Sequence, residues 1–260
     1  MEVVILKSAG DANRVAGTLV GNAVRNNPEL VLGLATGSTP IGLYEDLVRQ
    51  HKNEGLDFGR VKTFNLDEYA GLAADHEQSY RHFMRAHLFD HINVVRENVH
   101  IPDGLAADIP QHCKEYEEAI LAAGGIDLQI LGIGANGHIG FNEPTSSLVS
   151  RTRIKSLTKH TIQENARFFG GPESVPRHVI TMGIGTIMEA RQVILMAFGE
   201  KKARAIADMI EGPLAAYVPA SMLQMHPNTK VFLDEKAATE LKRSGYYKWV
   251  FDNKPDWQTF

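Results

Sequence analysis

The 260-residue chain has a single cysteine, Cys113, and therefore cannot form an internal disulfide. A chain without disulfides is typical of a reducing compartment, so we expect a cytoplasmic location. The first residues carry too short an apolar run for a secretory signal peptide. No apolar stretch approaches the roughly 18 residues of a membrane helix, so a soluble protein is predicted.

An excess of positive charge is also missing. The formal net charge is -4, whereas a nucleic-acid-binding protein needs a basic face to neutralise phosphates. The zinc-ligand patterns C-x-x-C and H-E-x-x-H do not occur, and neither does the G-x-S-x-G serine elbow. We therefore expect no nucleic-acid partner, no metal site and no elbow-serine hydrolase. A local basic pocket for one small anion stays open.

Apolar runs alternate with helical patterns such as Tyr44–His51 and Lys236–Lys242. Continuous apolar strands predict a sheet covered on both faces, and alternation with helices predicts parallel strands. The predicted fold class is α/β: a single three-layer domain over residues 1–260, with a mostly parallel, Rossmann-like sheet of about seven strands. A candidate mobile lid lies near residues 158–185. The candidate strands are Val3–Leu6, Leu30–Ala35, Val61–Leu66, Leu128–Ile133, His178–Met182, Gln192–Phe198 and Lys230–Leu233.

In such sheets ligands bind where strands end and helices begin, and three segments stand out there. The first is ATGSTP, in which Gly37, Ser38 and Thr39 precede a predicted helix. Backbone N–H groups and the helix dipole favour an anion at such a position, although a plain helix N-cap has the same composition. The segment therefore predicts either a phosphate site or a cap.

The second segment is FNLDEY, which ends a predicted strand with the adjacent carboxylates Asp67 and Glu68. Adjacent acidic residues are common in surface turns. A carboxylate at the carboxyl edge of a parallel sheet is, however, well placed for a general base. Both interpretations remain open on this segment alone.

The third segment, GIGANGHIGFNEP, contains a formal G-x-G-x-x-G match. A dinucleotide site also needs a helix after the glycines and an acidic residue about 20 positions further on. Pro144 interrupts any such helix, and no acidic residue occurs between Glu143 and Glu164, so we reject this interpretation. The closeness of His138 to Asn136 and Glu143 instead favours an oriented acid–base group over a merely structural histidine.

Taken together, ATGSTP, FNLDEY, GIGANGHIGFNEP and the following SSLVSRTRIK resemble the glucosamine-6-phosphate deaminase family. The resemblance covers nearly the whole chain, with the segments in the expected order. It implies conversion of glucosamine 6-phosphate to fructose 6-phosphate and ammonia in amino-sugar catabolism, with neither a metal nor an organic cofactor.

The resemblance also implies residue roles. Asp67 would be the general base, and His138 would open the sugar ring under the orientation of Asn136 and Glu143. Many family members carry Asp where this chain has Asn136, and an amide can orient the histidine without adding charge. The implied ligands of the substrate phosphate are Gly37, Ser38, Thr39, Arg167 and Lys202.

Two other functions share part of this pattern. 6-Phosphogluconolactonase shares the fold and a similar glycine–histidine loop, but lacks FNLDEY in this form. A non-catalytic sugar-phosphate sensor would normally carry a DNA-binding helix-turn-helix, for which the chain has no spare residues.

The family resemblance extends to regulation. Ser146, Arg153 and Lys155 match the part of regulated members that binds the activator N-acetylglucosamine 6-phosphate. Arg153 and Lys155 alternate on an extended stretch, so their side chains should share a face. The structural alternative is a basic edge strand that prevents aggregation. We expect a homo-oligomer, with a hexamer favoured over a monomer, that the activator stimulates modestly.

Overall fold

A seven-stranded, entirely parallel sheet organises the protein, as the computed structural model shows for residues 1–255 and 258. The strands of this sheet are β1 (Glu2–Leu6), β2 (Val31–Leu34), β3 (Lys62–Asn65), β5 (Val99–His100), β6 (Leu128–Leu131), β9 (Gln192–Ala197) and β10 (Thr229–Asp234). Their order in the sheet is β1-β10-β9-β6-β2-β3-β5. This confirms the predicted fold class.

Helices cover both faces of the sheet, as the continuous apolar strands predict. One face packs against α1, α2 and α3, and the other against α4, α6 and α7. No described helix is both long and apolar enough to cross a membrane. The helices are α1 (Ala9–Asn26), α2 (Ile41–Glu54), α3 (Tyr80–His87), α4 (Ile109–Ala122), α5 (Lys159–Phe169), α6 (Ile184–Met188), α7 (Ala203–Glu211) and α8 (Ser244–Asp252).

A second, antiparallel sheet of three strands lies beside the first. Its order is β4-β8-β7, formed by Asp67–Tyr69, His178–Thr181 and Arg153–Ser156. The prediction that His178–Met182 joins the central sheet was therefore wrong. The seventh central strand is β5, whose two half-buried residues are too few to form a recognisable apolar run.

The helix predicted over Lys236–Lys242 is also absent, because this segment forms consecutive turns. The Asp234 carboxylate accepts hydrogen bonds from the backbone N–H groups of Ala237, at 2.8 Å, and Gly199, at 3.0 Å. The carboxylate therefore joins the start of this turn segment to the residue that follows β9.

The direction of strand addition reverses between β2 and β6. From β2 the sheet grows through β3 and β5, and from β6 it grows the other way through β9 and β10. A crevice forms at the carboxyl ends of parallel strands at such a reversal, and this is where open α/β sheets bind ligands. The segments after β2, β3 and β6 are the three motifs singled out in the sequence.

The candidate lid, residues 158–185, is structurally mixed. It includes α5, the loop after it and the whole of β8, whose last three residues are fully buried. The division of the chain into one domain with a moving lid stays a prediction.

Candidate active site

A cavity of about 270 Å³ lies at this reversal point. Its lining brings together residues that are up to 167 positions apart in sequence, including a carboxylate, a histidine and two cationic side chains. Seven of the predicted catalytic and phosphate-binding residues line it: Gly37, Ser38, Thr39, Asp67, His138, Arg167 and Lys202.

The remaining predicted residues lie elsewhere. Asn136 and Glu143 sit behind His138 and contact it without lining the cavity. Ser146 is buried, whereas Arg153 and Lys155 lie on β7 and share its half-buried face. These three form no part of the cavity lining.

The segment between β2 and α2 forms a candidate anion cradle, defined by Gly37, Ser38 and Thr39, which line the cavity. Gly37 has a φ of 92°, a conformation that costs little only for glycine. Pro40 at the N-cap of α2 makes no side-chain capping bond, so it leaves the first amides of the helix available to a ligand. This favours the phosphate-site interpretation over the plain cap.

Tyr44 holds the residue that precedes this cradle through two hydrogen bonds. Its buried hydroxyl donates to the carbonyl of Ala35 at 2.6 Å and accepts from the N–H of the same residue at 3.2 Å. Because both backbone groups of Ala35 are bonded to one rigid side chain, the chain leaves β2 in a defined direction.

Two cationic residues face the cradle from other elements. Arg167 lies on α5, and its guanidinium carbon is 4.6 Å from the centroid of the Phe168 ring, which supports it through a cation–π contact. Lys202 lies in the turn before α7. Both line the cavity, so positive charge reaches it from two separate segments of the chain.

Asp67 is the buried carboxylate of the cavity, with 5% of its surface exposed. Within the described part of the chain no hydrogen bond reaches its carboxylate. Burial raises the pKa of Asp67, with a further contribution from the charge of Glu68, to about 8. A carboxylate with a raised pKa is a stronger base than an ordinary aspartate once it is ionised.

The position of Asp67 follows from a switch of the chain between sheets. The N–H of Leu66 still bonds to the carbonyl of Leu34 in the central sheet, and its carbonyl accepts from the N–H of Met182. Asp67 then begins β4, opposite Thr181 of β8. The switch directs Asp67 into the crevice between the two sheets.

Glu68 has a different role from Asp67, although the two are adjacent. Its carboxylate accepts hydrogen bonds from the backbone N–H groups of Tyr69, Tyr80 and Arg81, at 2.9, 2.9 and 3.0 Å. It therefore binds the N-terminus of α3 and is not available as a second base.

His138 is oriented by a chain of side chains behind it. Its Nδ1 lies 2.7 Å from Oδ1 of Asn136, and Nδ2 of Asn136 donates to Oε2 of Glu143 at 2.8 Å. Nδ1 is 3.6 Å from the same Glu143 oxygen, so the amide is its hydrogen-bond acceptor and the carboxylate acts through charge.

This arrangement determines the tautomer of His138. The Glu143 carboxylate can only accept hydrogen bonds, so Asn136 must present its NH₂ group to it and its oxygen to the histidine. That oxygen in turn requires a proton on Nδ1. The neutral ring therefore offers the lone pair of Nε2 to the cavity, as a base needs.

The pKa of Glu143 supports this assignment. Burial alone would raise it, but hydrogen bonds from Thr161 and Asn136 together with the interaction with nearby His138 outweigh burial and lower it to about 2. Glu143 is therefore ionised at neutral pH and remains an acceptor.

Glycines make room for the histidine. A Cβ atom on Gly134 would overlap the His138 ring, and the N–H of Gly134 donates to the His138 carbonyl at 2.9 Å. Gly137 has a φ of 84°. The glycine-rich segment thus serves close packing around a side chain, in agreement with rejection of the dinucleotide interpretation.

Four residues that line the cavity were not predicted from the sequence: Tyr80, Thr161, Asn165 and Phe168. Only Thr161 had a local signal, since Thr158 three residues earlier is an N-cap whose hydroxyl accepts from the Thr161 N–H at 3.1 Å. Among the described residues, no group of three or more His, Cys, Asp and Glu side chains is arranged to hold a metal ion.

The chain matches the family model described as glucosamine-6-phosphate isomerases/6-phosphogluconolactonase over residues 8–232. It is 55% identical over 258 residues to the glucosamine-6-phosphate deaminase of Arthrobacter sp. (strain FB24), covering 99% of both chains. The chain belongs to this family. It is also 52% identical to the glucosamine-6-phosphate deaminase of Hahella chejuensis, covering 96% of this chain and 95% of that one.

Solved structures agree with this family assignment. A monomeric glucosamine-6-phosphate deaminase superposes with a TM-score of 0.90 at 40% identity, covering 92% of this chain and all of that one. The 6-phosphogluconolactonase from Trypanosoma cruzi has a TM-score of 0.74 at 20% identity, covering 93% of this chain and 97% of that one. At that identity the likeness concerns the fold alone.

Proposed function

We propose that this protein converts glucosamine 6-phosphate and water to fructose 6-phosphate and ammonia. The observation that carries the proposal is the buried Asp67 carboxylate, which lines the same cavity as an oriented His138 and a phosphate cradle. High identity to relatives named as this deaminase supports the same activity.

Ring opening is assigned to His138. Nε2 accepts the proton of the anomeric hydroxyl and returns it to the ring oxygen, which breaks the bond between that oxygen and C1. Asn136 fits this shuttle because its oxygen holds the imidazole in one tautomer, with Nε2 directed to the substrate.

Isomerisation is assigned to Asp67. The open-chain aldehyde acidifies the proton on C2, which the carboxylate removes to give an enol-type intermediate. The same carboxylate returns a proton to C1 on the same face. Water then adds to the resulting imine at C2 and ammonia leaves, so the reaction needs no oxidant or reductant.

The direct test is an assay of purified protein with glucosamine 6-phosphate, in which fructose 6-phosphate and ammonia are measured separately. We expect the two products in equal amounts. Hydrolysis of 6-phosphogluconolactone with no ammonia release would instead favour the lactonase. Binding of sugar phosphates without turnover of either compound would favour a sensor. A cytoplasmic location remains a prediction.

Arg167→Ala and Lys202→Ala should chiefly raise KM, because both residues are proposed to hold the non-reacting phosphate. A charge-assisted hydrogen bond contributes on the order of 1.5–3 kcal/mol, which corresponds to a roughly tenfold to hundredfold rise in KM. Steady-state kinetics of each variant measure this. Unchanged KM in both variants would contradict the assignment, and Arg14→Ala on the exposed side of α1 is a matched control.

We further propose that Ser146, Arg153 and Lys155 bind the phosphate of N-acetylglucosamine 6-phosphate in an oligomer. Arg153 is half-buried, and burial lowers its pKa. Its guanidinium bonds only to the carbonyl of Arg151, at 3.2 Å, among the described residues. Among the described residues, the buried Ser146 hydroxyl also has no hydrogen-bond partner. An anion would give the Arg153 guanidinium a charged acceptor.

Saturation curves with and without N-acetylglucosamine 6-phosphate, together with light scattering, test this regulation. We expect an oligomer whose curve shifts to lower substrate concentration with the activator, and Arg153→Ala should abolish the shift. A monomer with hyperbolic kinetics and no response would contradict it. The solved relative with 40% identity is described as monomeric.

A further inference from the structure

A buried hydroxyl group on helix α5 hydrogen-bonds to Glu143, which supports His138 through Asn136. Thr161 is 5% exposed, and its Oγ1 donates to Oε1 of Glu143 at 2.6 Å. The other oxygen of Glu143 accepts from Asn136, which accepts from Nδ1 of His138. A continuous hydrogen-bonded chain thus runs from α5 to the proposed ring-opening group.

The same helix carries other groups that reach the cavity. Asn165 lies four residues after Thr161, so both project from one face of α5. Its Nδ2 donates to the hydroxyl of Tyr69 at 2.9 Å, two residues after Asp67 on β4. Arg167, one half-turn further on, lines the cavity and is proposed to bind the phosphate.

The position of Thr161 is itself well determined. Its N–H donates to the hydroxyl of the N-cap Thr158 at 3.1 Å, and the two threonine hydroxyls lie 2.9 Å apart. The first turn of α5 therefore holds Thr161 against Glu143. A displacement of α5 away from Glu143 would lengthen the 2.6 Å bond, because that bond joins the helix directly to the loop that carries His138.

We propose that Thr161 is a positioning residue that couples the phosphate-binding helix α5 to His138 through Glu143 and Asn136. A phosphate held by Arg167 keeps α5 in place, and Thr161 then keeps Glu143 directed at Asn136. Ring opening would thus be fastest when a phosphorylated sugar occupies the cavity. This inference rests on the proposed function.

The decisive substitution is Thr161→Val, which keeps the shape of the side chain and removes its hydroxyl. We expect kcat with glucosamine 6-phosphate to fall about tenfold with KM nearly unchanged, since a hydrogen bond to a charged group is lost. Thr161→Ser should restore most of kcat. Thr18→Val is the matched control, because Thr18 is a threonine of α1 whose hydroxyl, among the described residues, bonds only to the carbonyl of Arg14.

A second measurement needs no turnover. The Nδ1 proton of His138 is followed by NMR, with inorganic phosphate as the probe ligand. In the unaltered protein we expect phosphate to slow exchange of this proton with water, and in Thr161→Val we expect that response to disappear. A role of Thr161 in helix stability alone would shift the unfolding temperature without removing the response.

Three results would overturn the coupling: an unchanged kcat in Thr161→Val, equal losses in Thr161→Ser and Thr161→Val, or a phosphate response that survives removal of the hydroxyl. If the unaltered protein has no deaminase activity, the proposed function fails, while the phosphate response still tests the coupling by itself.

Discussion

Asp67→Asn should lose about 10²–10⁴-fold or more of kcat while binding sugar phosphates almost normally. The amide keeps the size of the carboxylate but cannot accept the proton of C2. Steady-state kinetics measure the loss of turnover, and equilibrium binding of an acyclic amino-alditol 6-phosphate measures what remains of recognition. A variant that keeps more than half of the turnover would show that Asp67 is not the base.

The same substitution should make the folded protein more stable. The pKa of Asp67 is raised to about 8 by burial and by Glu68, from 3.8 in an unfolded chain. As pH rises above about 4, the unfolded chain loses its proton first, so this residue's contribution to the free energy of unfolding falls until about pH 8. Asparagine does not titrate, so its contribution to the free energy of unfolding does not change with pH.

Unfolding of Asp67→Asn and of the unaltered protein should therefore be compared at pH 5 and pH 8.5. We expect the two free energies of unfolding to differ little at pH 5. At pH 8.5 we expect Asp67→Asn to be the more stable protein, by on the order of several kcal/mol. Equal stabilities at both pH values would mean that the carboxylate is not desolvated in the folded protein. A base that is costly to bury and needed for turnover is a recognised conflict between stability and activity.

His138→Gln should lower kcat about 10²-fold, because glutamine cannot exchange a proton between the anomeric hydroxyl and the ring oxygen. Its remaining activity should come from the small amount of sugar that opens spontaneously. At high concentrations of the variant, the rate should therefore reach a ceiling that no longer depends on protein concentration. Binding of the acyclic amino-alditol 6-phosphate should be nearly unchanged.

A maximum rate that does not depend on protein concentration distinguishes ring opening from other roles of the histidine. The unaltered protein should exceed the spontaneous opening rate of the sugar, whereas His138→Gln should never do so. A variant rate that rises in proportion to protein concentration beyond that limit would contradict the assignment. Loss of acyclic ligand binding would show that the ring mainly holds the substrate.

The sequence was sufficient to predict the class of the fold and the location of the cavity. Both depend on local information, since continuous apolar strands predict a covered sheet and Asp67 directly follows one of them. Pro144 rules out the helix that a dinucleotide site would need after the glycines, so attention falls on His138 and its polar neighbours in the same segment. Strand β5 was missed because it has only two residues.

Tertiary contacts account for most of what could not be predicted. The difference between Asp67 and Glu68 depends on a chain that leaves one sheet for another, with α3 placed to bond Glu68. Thr161 and Glu143 are 18 positions apart and meet only after α5 has packed on the loop. Neither relation has a pattern in the local sequence.

The central claim is that one carboxylate, Asp67, moves a proton between C2 and C1 of a ring-opened amino sugar. It is tested most directly with glucosamine 6-phosphate deuterated at C2, by locating hydrogen isotopes in the fructose 6-phosphate formed. We predict that the hydrogen added at C1, whether transferred label or solvent, enters a single stereochemical position. Ammonia should form in equal amount, and Asp67→Asn should form product at least about 10²-fold more slowly. Isotope spread equally over both positions at C1, or the same product from Asp67→Asn at an undiminished rate, would contradict the account.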